Sequence, residues 1–141
     1  MKTKHYLVFV FFFGLWACSS KPVPNLELSN PEAFAFDLED SWEVNGSVNA
    51  TGFQQNEVND NFKIKLSYSV DIITADSDTL FSIYDDIIDE GFDEELMDFI
   101  LEAQIEIDFS FGEGDYKLVF HVKDEFSNQT KSIEVGINLT K

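Results

Sequence analysis

The 141-residue chain has no arginine, one cysteine, three prolines and no apolar run long enough to span a bilayer. Each shortage excludes something. With one cysteine no internal disulfide can form, so the fold must hold by packing and hydrogen bonding alone. Nine lysines stand against 27 acidic residues, a formal charge of -18. Nucleic acid and anionic lipid are therefore poor partners, because phosphate binding needs a basic footprint. The missing arginine removes the usual clamp for an oxyanion or phosphate, and no cysteine–histidine pair is on offer for nucleophilic work. Beyond His5 the only histidine is His121. It falls on the polar side of an alternating segment with Lys117, Val119 and Lys123, the ordinary setting of a surface histidine. Carboxylate pairs are plentiful only because carboxylates are, so their spacing carries no glycosidase signature. The expectation is a non-enzymatic protein without a cofactor.

What is present begins with Lys2 and Lys4, followed by "YLVFVFFFGLWA" over residues 6–17. A basic start, a short apolar core and a small residue at the break form the pattern of a secretory signal peptide. The stretch is too short for a membrane span, which needs about 20 apolar residues. Leu15-Trp16-Ala17-Cys18 closes it and resembles the lipobox of bacterial lipoproteins. That resemblance implies removal of residues 1–17 and acylation of Cys18 by diacylglyceryl and fatty-acyl (palmitate-type) groups. Several buried acyl chains, at about 0.8 kcal/mol per CH₂, would hold the chain to a membrane stably. Ser19 in place of aspartate after the cysteine implies, by the same resemblance, delivery to the outer membrane, facing the periplasm or the cell surface. The competing reading of an odd cysteine in a secreted chain is an intermolecular disulfide.

Residues 18–33 hold all three prolines with Ser and Asn between them and read as a flexible tether. From Phe34 to the end the dominant period is two. Phe62, Ile64, Leu66, Tyr68, Val70 and Ile72 alternate with polar residues, as do Ile105, Ile107, Phe109 and Phe111. So do Tyr116, Leu118, Phe120 and Val122, then Ile133, Val135, Ile137 and Leu139. Trp42, Val44, Val48 and Ala50 repeat the pattern more weakly, with Gly46 marking a bulge or a close approach. Phe34 to Leu38 and Leu80 to Tyr84 are further strand candidates. Alternation of this kind places one face inward and one in water. Composition agrees: 44% apolar and 15% aromatic residues supply a core despite the acidity, so the chain folds and stays soluble. Function and a salt-rich habitat both select such a surface.

About seven short strands separated by turn signals predict one all-β domain over residues 34–141, an antiparallel β-sandwich. At "GEGDYKLVFHVKD" the chain resembles immunoglobulin-like modules of bacterial envelope proteins. The resemblance implies that Gly114 and Tyr116 open the penultimate strand, with the tyrosine forming a corner bond to the backbone. Leu118 stands where antibody domains carry a cysteine, which places the likeness with disulfide-free members.

Residues 85–98, "DDIIDEGFDEELMD", interrupt the pattern. Phe92, Leu96 and Phe99 fall at helical spacing behind Asp93, Glu94 and Glu95, so a short acidic helix crossing between sheets is expected here. Asp85, Asp86, Asp89 and Glu90 form a candidate weak cation site. An EF-hand register fails, however, because Gly91 at loop position six puts Ile88 at position three and Met97 at position twelve. A solvated acidic face is the default.

These readings predict a lipid-anchored envelope lipoprotein acting as a non-enzymatic interaction or accessory module. Its partners would be membrane lipid through Cys18 and an envelope protein or glycan. Carbohydrate binding and calcium-dependent adhesion are the alternatives.

Overall fold

The computed structural model describes residues 23–141, so the leader, Cys18 and the start of the tether lie outside the described residues. Eight strands follow one another: β1 (Glu27–Asp37), β2 (Ser41–Thr51), β3 (Asn56–Val58), β4 (Asn61–Ile73), β5 (Thr79–Phe92), β6 (Asp98–Asp108), β7 (Gly114–Asp124) and β8 (Thr130–Leu139). Every pairing is antiparallel. One sheet has the order β1-β2-β6. The other runs β5-β4-β7-β8, with β3 on the stretch of β4 that precedes its pairing with β7. The arrangement is partly curled, a half-barrel, and β1 runs alongside β8.

The alternation read from the sequence is the alternation of burial. Trp42, Val44, Val48 and Ala50 point inward from β2, and Leu101, Ile105 and Ile107 from β6. Ile64, Leu66, Val70 and Ile72 meet them from β4, and Tyr116, Leu118, Phe120 and Val122 from β7. Each such side chain contributes roughly 1.5–3 kcal/mol by leaving water. Gly46 marks a close approach of the sheets, not a bulge: a Cβ there would sit 3.1 Å from Phe120 Cζ. The irregularity of this hairpin lies instead on β1, between Ser29 and Glu32. Across the interior, the Tyr68 hydroxyl of β4 donates to the Glu102 carbonyl of β6 at 2.6 Å. The indole N–H of Trp42 donates to the Thr140 carbonyl at 3.2 Å.

Three expectations are corrected. The acidic helix over residues 85–98 does not exist; the only helical turn among the described residues is a 3-10 turn at Phe109–Phe111. Residues 79–92 are one long edge strand on β4, in a register that sets Tyr84 opposite Val70, Ile88 opposite Leu66 and Phe92 opposite Phe62. The helical spacing of Phe92, Leu96 and Phe99 was a by-product of a tight β5–β6 connection. It brings the Phe92 and Phe99 rings edge to face at 6.2 Å, while Gln55 clamps the Leu96 backbone through both its N–H and its C=O. Packing and strand pairing outweighed local helical spacing.

Second, the strand of Ile105 and Ile107 stops at Asp108, whose carboxylate accepts from Ser110 N–H at 2.7 Å and turns the chain. Phe111 is therefore exposed instead of inward. Phe109 packs edge-on against Trp42 at 4.5 Å. Third, the sheet begins earlier than Phe34. β1 starts at Glu27, and Leu26 is fully buried, its N–H held by Gln129 Oε1 at 2.9 Å.

Candidate functional site

Tyr116 and Gly114 stand where β6 hands over to β7. The Tyr116 ring is buried, and its hydroxyl donates toward the carbonyls of Phe111 and Gly112, both at 2.7 Å. Burial raises its pKa above the usual phenol value, so the hydroxyl stays protonated and donating. Gly114 has φ +144, and a Cβ there would meet the Ala75 Cβ at 2.8 Å; only glycine fits that backbone and that space. These two residues shape the fold and line neither of the grooves described below.

Asp85, Asp86, Asp89 and Glu90 share β5 but not a site. Strand alternation sends Asp85 and Asp89 outward and Asp86 and Glu90 toward the inner side, each opposite an inward residue of β4. Asp89 is bridged by Lys63 at 2.9 Å and Lys65 at 3.1 Å, and hydrogen bonds first from Lys63 and then from Lys65 hold its carboxyl below the ordinary range. Asp86 accepts from the N–H of Ile87. No group of three or more His, Cys, Asp or Glu among the described residues is placed to hold a metal ion. The edge position explains the acids: β5 pairs on one side only, and charged residues, some pointing inward, keep such an edge from pairing with another chain.

Among the described residues a shallow groove lies on the outer face of each sheet. The larger, about 490 Å³, crosses β5-β4-β7-β8 over Ser67, Ser69, Asp85, His121, Lys123 and Ser132. His121 is no isolated surface histidine. Its Nδ1 lies 2.7 Å from Ser132 Oγ and its Nε2 2.9 Å from Asp71 Oδ2. Asp71 is itself held by the Ser82 N–H at 2.7 Å. Serine, histidine and aspartate in line invite comparison with a nucleophilic relay. Acyl transfer, however, needs donors aimed where an oxyanion would form. The groove's Lys123 is paired with Glu125 at 2.7 Å, and the backbone of β7 is engaged by strands on both sides. Ser67 also donates to Glu125. The polar groups of this groove largely satisfy one another, and His121 braces three strands.

The second groove, about 380 Å³, lies on the outer face of β1-β2-β6. The register sets Phe34 beside Asn45 and Asn45 beside Gln104, with Ser47 and Glu102 in the next row. Tyr84 from β5 lines it as well, at the free edge of β6. Phe34 is 58% exposed and Phe36, two residues on along the same face, 57%. Among the described residues the side chains of Ser47, Glu102 and Gln104 make no hydrogen bond or ion pair, and Asn45 uses only its N–H, toward Glu43. The three strands carry no lysine at all, so this face is acidic and amide-rich throughout. Sequence reading missed it, because Phe34 was read only as part of a strand; the alternating small residues Ala33 and Ala35 were the signal that the phenylalanines face out.

No family model and no curated protein sequence matches the chain. Among solved structures, one described as "X-ray structure of Northeast Structural Genomics Consortium target SoR45" is similar over 83% of this chain and 86% of that chain. Its identity is 9% and its TM-score 0.37, a likeness that carries no argument about function. Among the described residues no helix is long and apolar enough to cross a membrane.

Proposed function

We propose that this protein is an envelope lipoprotein, anchored in the outer membrane through acylated Cys18, whose immunoglobulin-like β-sandwich is a non-enzymatic recognition module. The groove on β1-β2-β6 carries the reading. It sets the exposed Phe34 ring beside polar side chains that have no partner among the described residues, on paired strands. A ligand site of this kind typically combines apolar surface with a few oriented polar groups, in roughly 300–1,000 Å³. Support for the immunoglobulin-like assignment comes from the strand orders β1-β2-β6 and β5-β4-β7-β8 together with the Tyr116 hydroxyl on the backbone of the preceding turn. Anchoring rests on the leader and the Leu15–Cys18 motif.

The test is photo-crosslinking in cells of the native full-length protein, with benzoylphenylalanine at Phe34 or, on the opposite sheet, at Lys117. Adducts that form at position 34 and not at 117 are expected. Equal yields at the two positions, or none at either, would remove the recognition reading.

A further inference from the structure

We infer that the groove on β1-β2-β6 binds an uncharged pyranose saccharide, with Phe34 as the stacking surface and Asn45, Ser47 and Gln104 as hydroxyl-reading groups. This deepens the recognition reading and rests on it. Three observations lead to the ligand class. The first is charge. β1, β2 and β6 contain Glu32, Glu43, Glu102 and Glu106 at outward positions and no lysine, while the chain has no arginine. Anionic ligands, whether phosphate, sulfate or uronate, are repelled at every approach.

The second is the polar lining. Gln104 offers an unengaged amide with both donor and acceptor, Asn45 an unengaged carbonyl oxygen, and Ser47 a hydroxyl that both gives and takes. Vicinal sugar hydroxyls are donors and acceptors side by side, and primary amides and hydroxyls match them in either sense. Glu102 at the rim adds an acceptor. A peptide backbone, by contrast, would seek an unpaired strand edge; β2 at the centre of this groove is paired on both sides, and on β6, whose far edge is free, the Glu102 carbonyl is already taken by the Tyr68 hydroxyl.

The third is the placing of the exposed ring. Phe34 stands on β1, and the polar groups run from it across β2 to Gln104 on β6. That is two inter-strand steps, about 10 Å, the span of a short oligosaccharide and more than one ring. The apolar C–H face of a pyranose covers an exposed ring without requiring charge, which suits the exposure of Phe34.

The experiment is calorimetric titration of the full-length protein in detergent with cello-, chito-, xylo- and mannopentaose, and with a galacturonate pentamer as the anionic control. At least one uncharged pentasaccharide should bind with Kd of about 0.1–1 mM, and the galacturonate should not bind. Phe34→Ala and Gln104→Ala should each weaken that binding by about 3–10-fold without changing the circular dichroism spectrum. His121→Ala, in the other groove, should leave it unchanged. Absence of binding by all four uncharged sugars at millimolar concentration would overturn the proposal, as would binding that survives Phe34→Ala and Gln104→Ala. A salt-sensitive complex with a lysine-rich decapeptide that those substitutions abolish would also overturn it. Crosslinks to protein at position 34 together with no sugar binding would retain the recognition module and discard the saccharide.

Discussion

Replacing Asp124 with asparagine probes how one buried carboxylate ties the β7–β8 turn to the loop that leads from β2 into β3. The side chain is fully buried. Its Oδ1 accepts from the Phe126 N–H at 3.0 Å, and its Oδ2 accepts from the Gln54 N–H at 2.8 Å and the Ser127 hydroxyl at 2.5 Å. Asparagine keeps the shape but turns one oxygen into a donor. With its oxygen kept toward Phe126, the new NH₂ confronts the Gln54 N–H, while the Ser127 hydroxyl can rotate to accept. Flipping the amide moves the conflict to the N–H groups of Phe126 and, more weakly at 3.4 Å, Ser127. Either way at least one backbone N–H loses its acceptor and the bonds to a full negative charge are gone. A hydrogen bond to a charged group contributes about 1.5–3 kcal/mol, and a stranded buried donor costs about 1–3 kcal/mol. The expected loss is therefore about 2–4 kcal/mol for Asp124→Asn, and more for Asp124→Ala, which strands every donor. With a urea m-value of about 1–3 kcal/mol/M, the asparagine variant should lower the unfolding midpoint by roughly 0.7–4 M. Far-UV circular dichroism in urea measures this, and hydrogen exchange at the Gln54 amide should accelerate locally. The reasoning fails if both variants unfold at the parent midpoint, or if alanine is no worse than asparagine.

Four further outcomes are expected. Tyr116→Phe removes the donor to the Phe111 and Gly112 carbonyls and should cost about 1–3 kcal/mol, read as a lower Tm; an unchanged Tm would argue against the corner bond as a fold determinant. Lys63→Gln should move the Asp89 titration seen by NMR up toward the ordinary carboxylate value, with a smaller effect from Lys65→Gln, since Lys63 is the larger cause of its depression. Because the folded pKa is the lower one, the stabilisation from this cluster is present above the ordinary carboxylate pKa and lost as pH falls through the depressed value; low-pH melts in low salt should show it and high salt should erase it. Amidating Asp85, Asp86 and Glu90 while keeping Asp89 should leave Tm unchanged or slightly raised, and millimolar calcium should give no shift beyond that of magnesium; a calcium-selective rise would restore the adhesin reading. Cys18→Ser should abolish lipid mass in the intact-protein spectrum and move the chain to the aqueous phase in detergent partitioning; retained lipid mass would refute the anchor.

The all-β class, the core residues of β2, β4, β6 and β7, and most strand positions followed from the sequence alone. In a strand with one wet face, burial repeats every second residue, so the pattern of Ile64, Leu66, Tyr68, Val70 and Ile72 is a local property that any reader of the chain can see. β5 was only half legible for the same reason. Its inner face near the open edge is incompletely covered, so Asp86 and Glu90 occupy inward positions without burial, and the apolar period that would have marked a strand is broken. Tertiary structure alone decided the rest. Asp124 with Gln54, His121 with Asp71 and Ser132, and Asn45 with Gln104 are residues distant in sequence that become neighbours only once strands pair and sheets pack. Alternation fixes which way a side chain points, but the register and order of the strands fix what it meets.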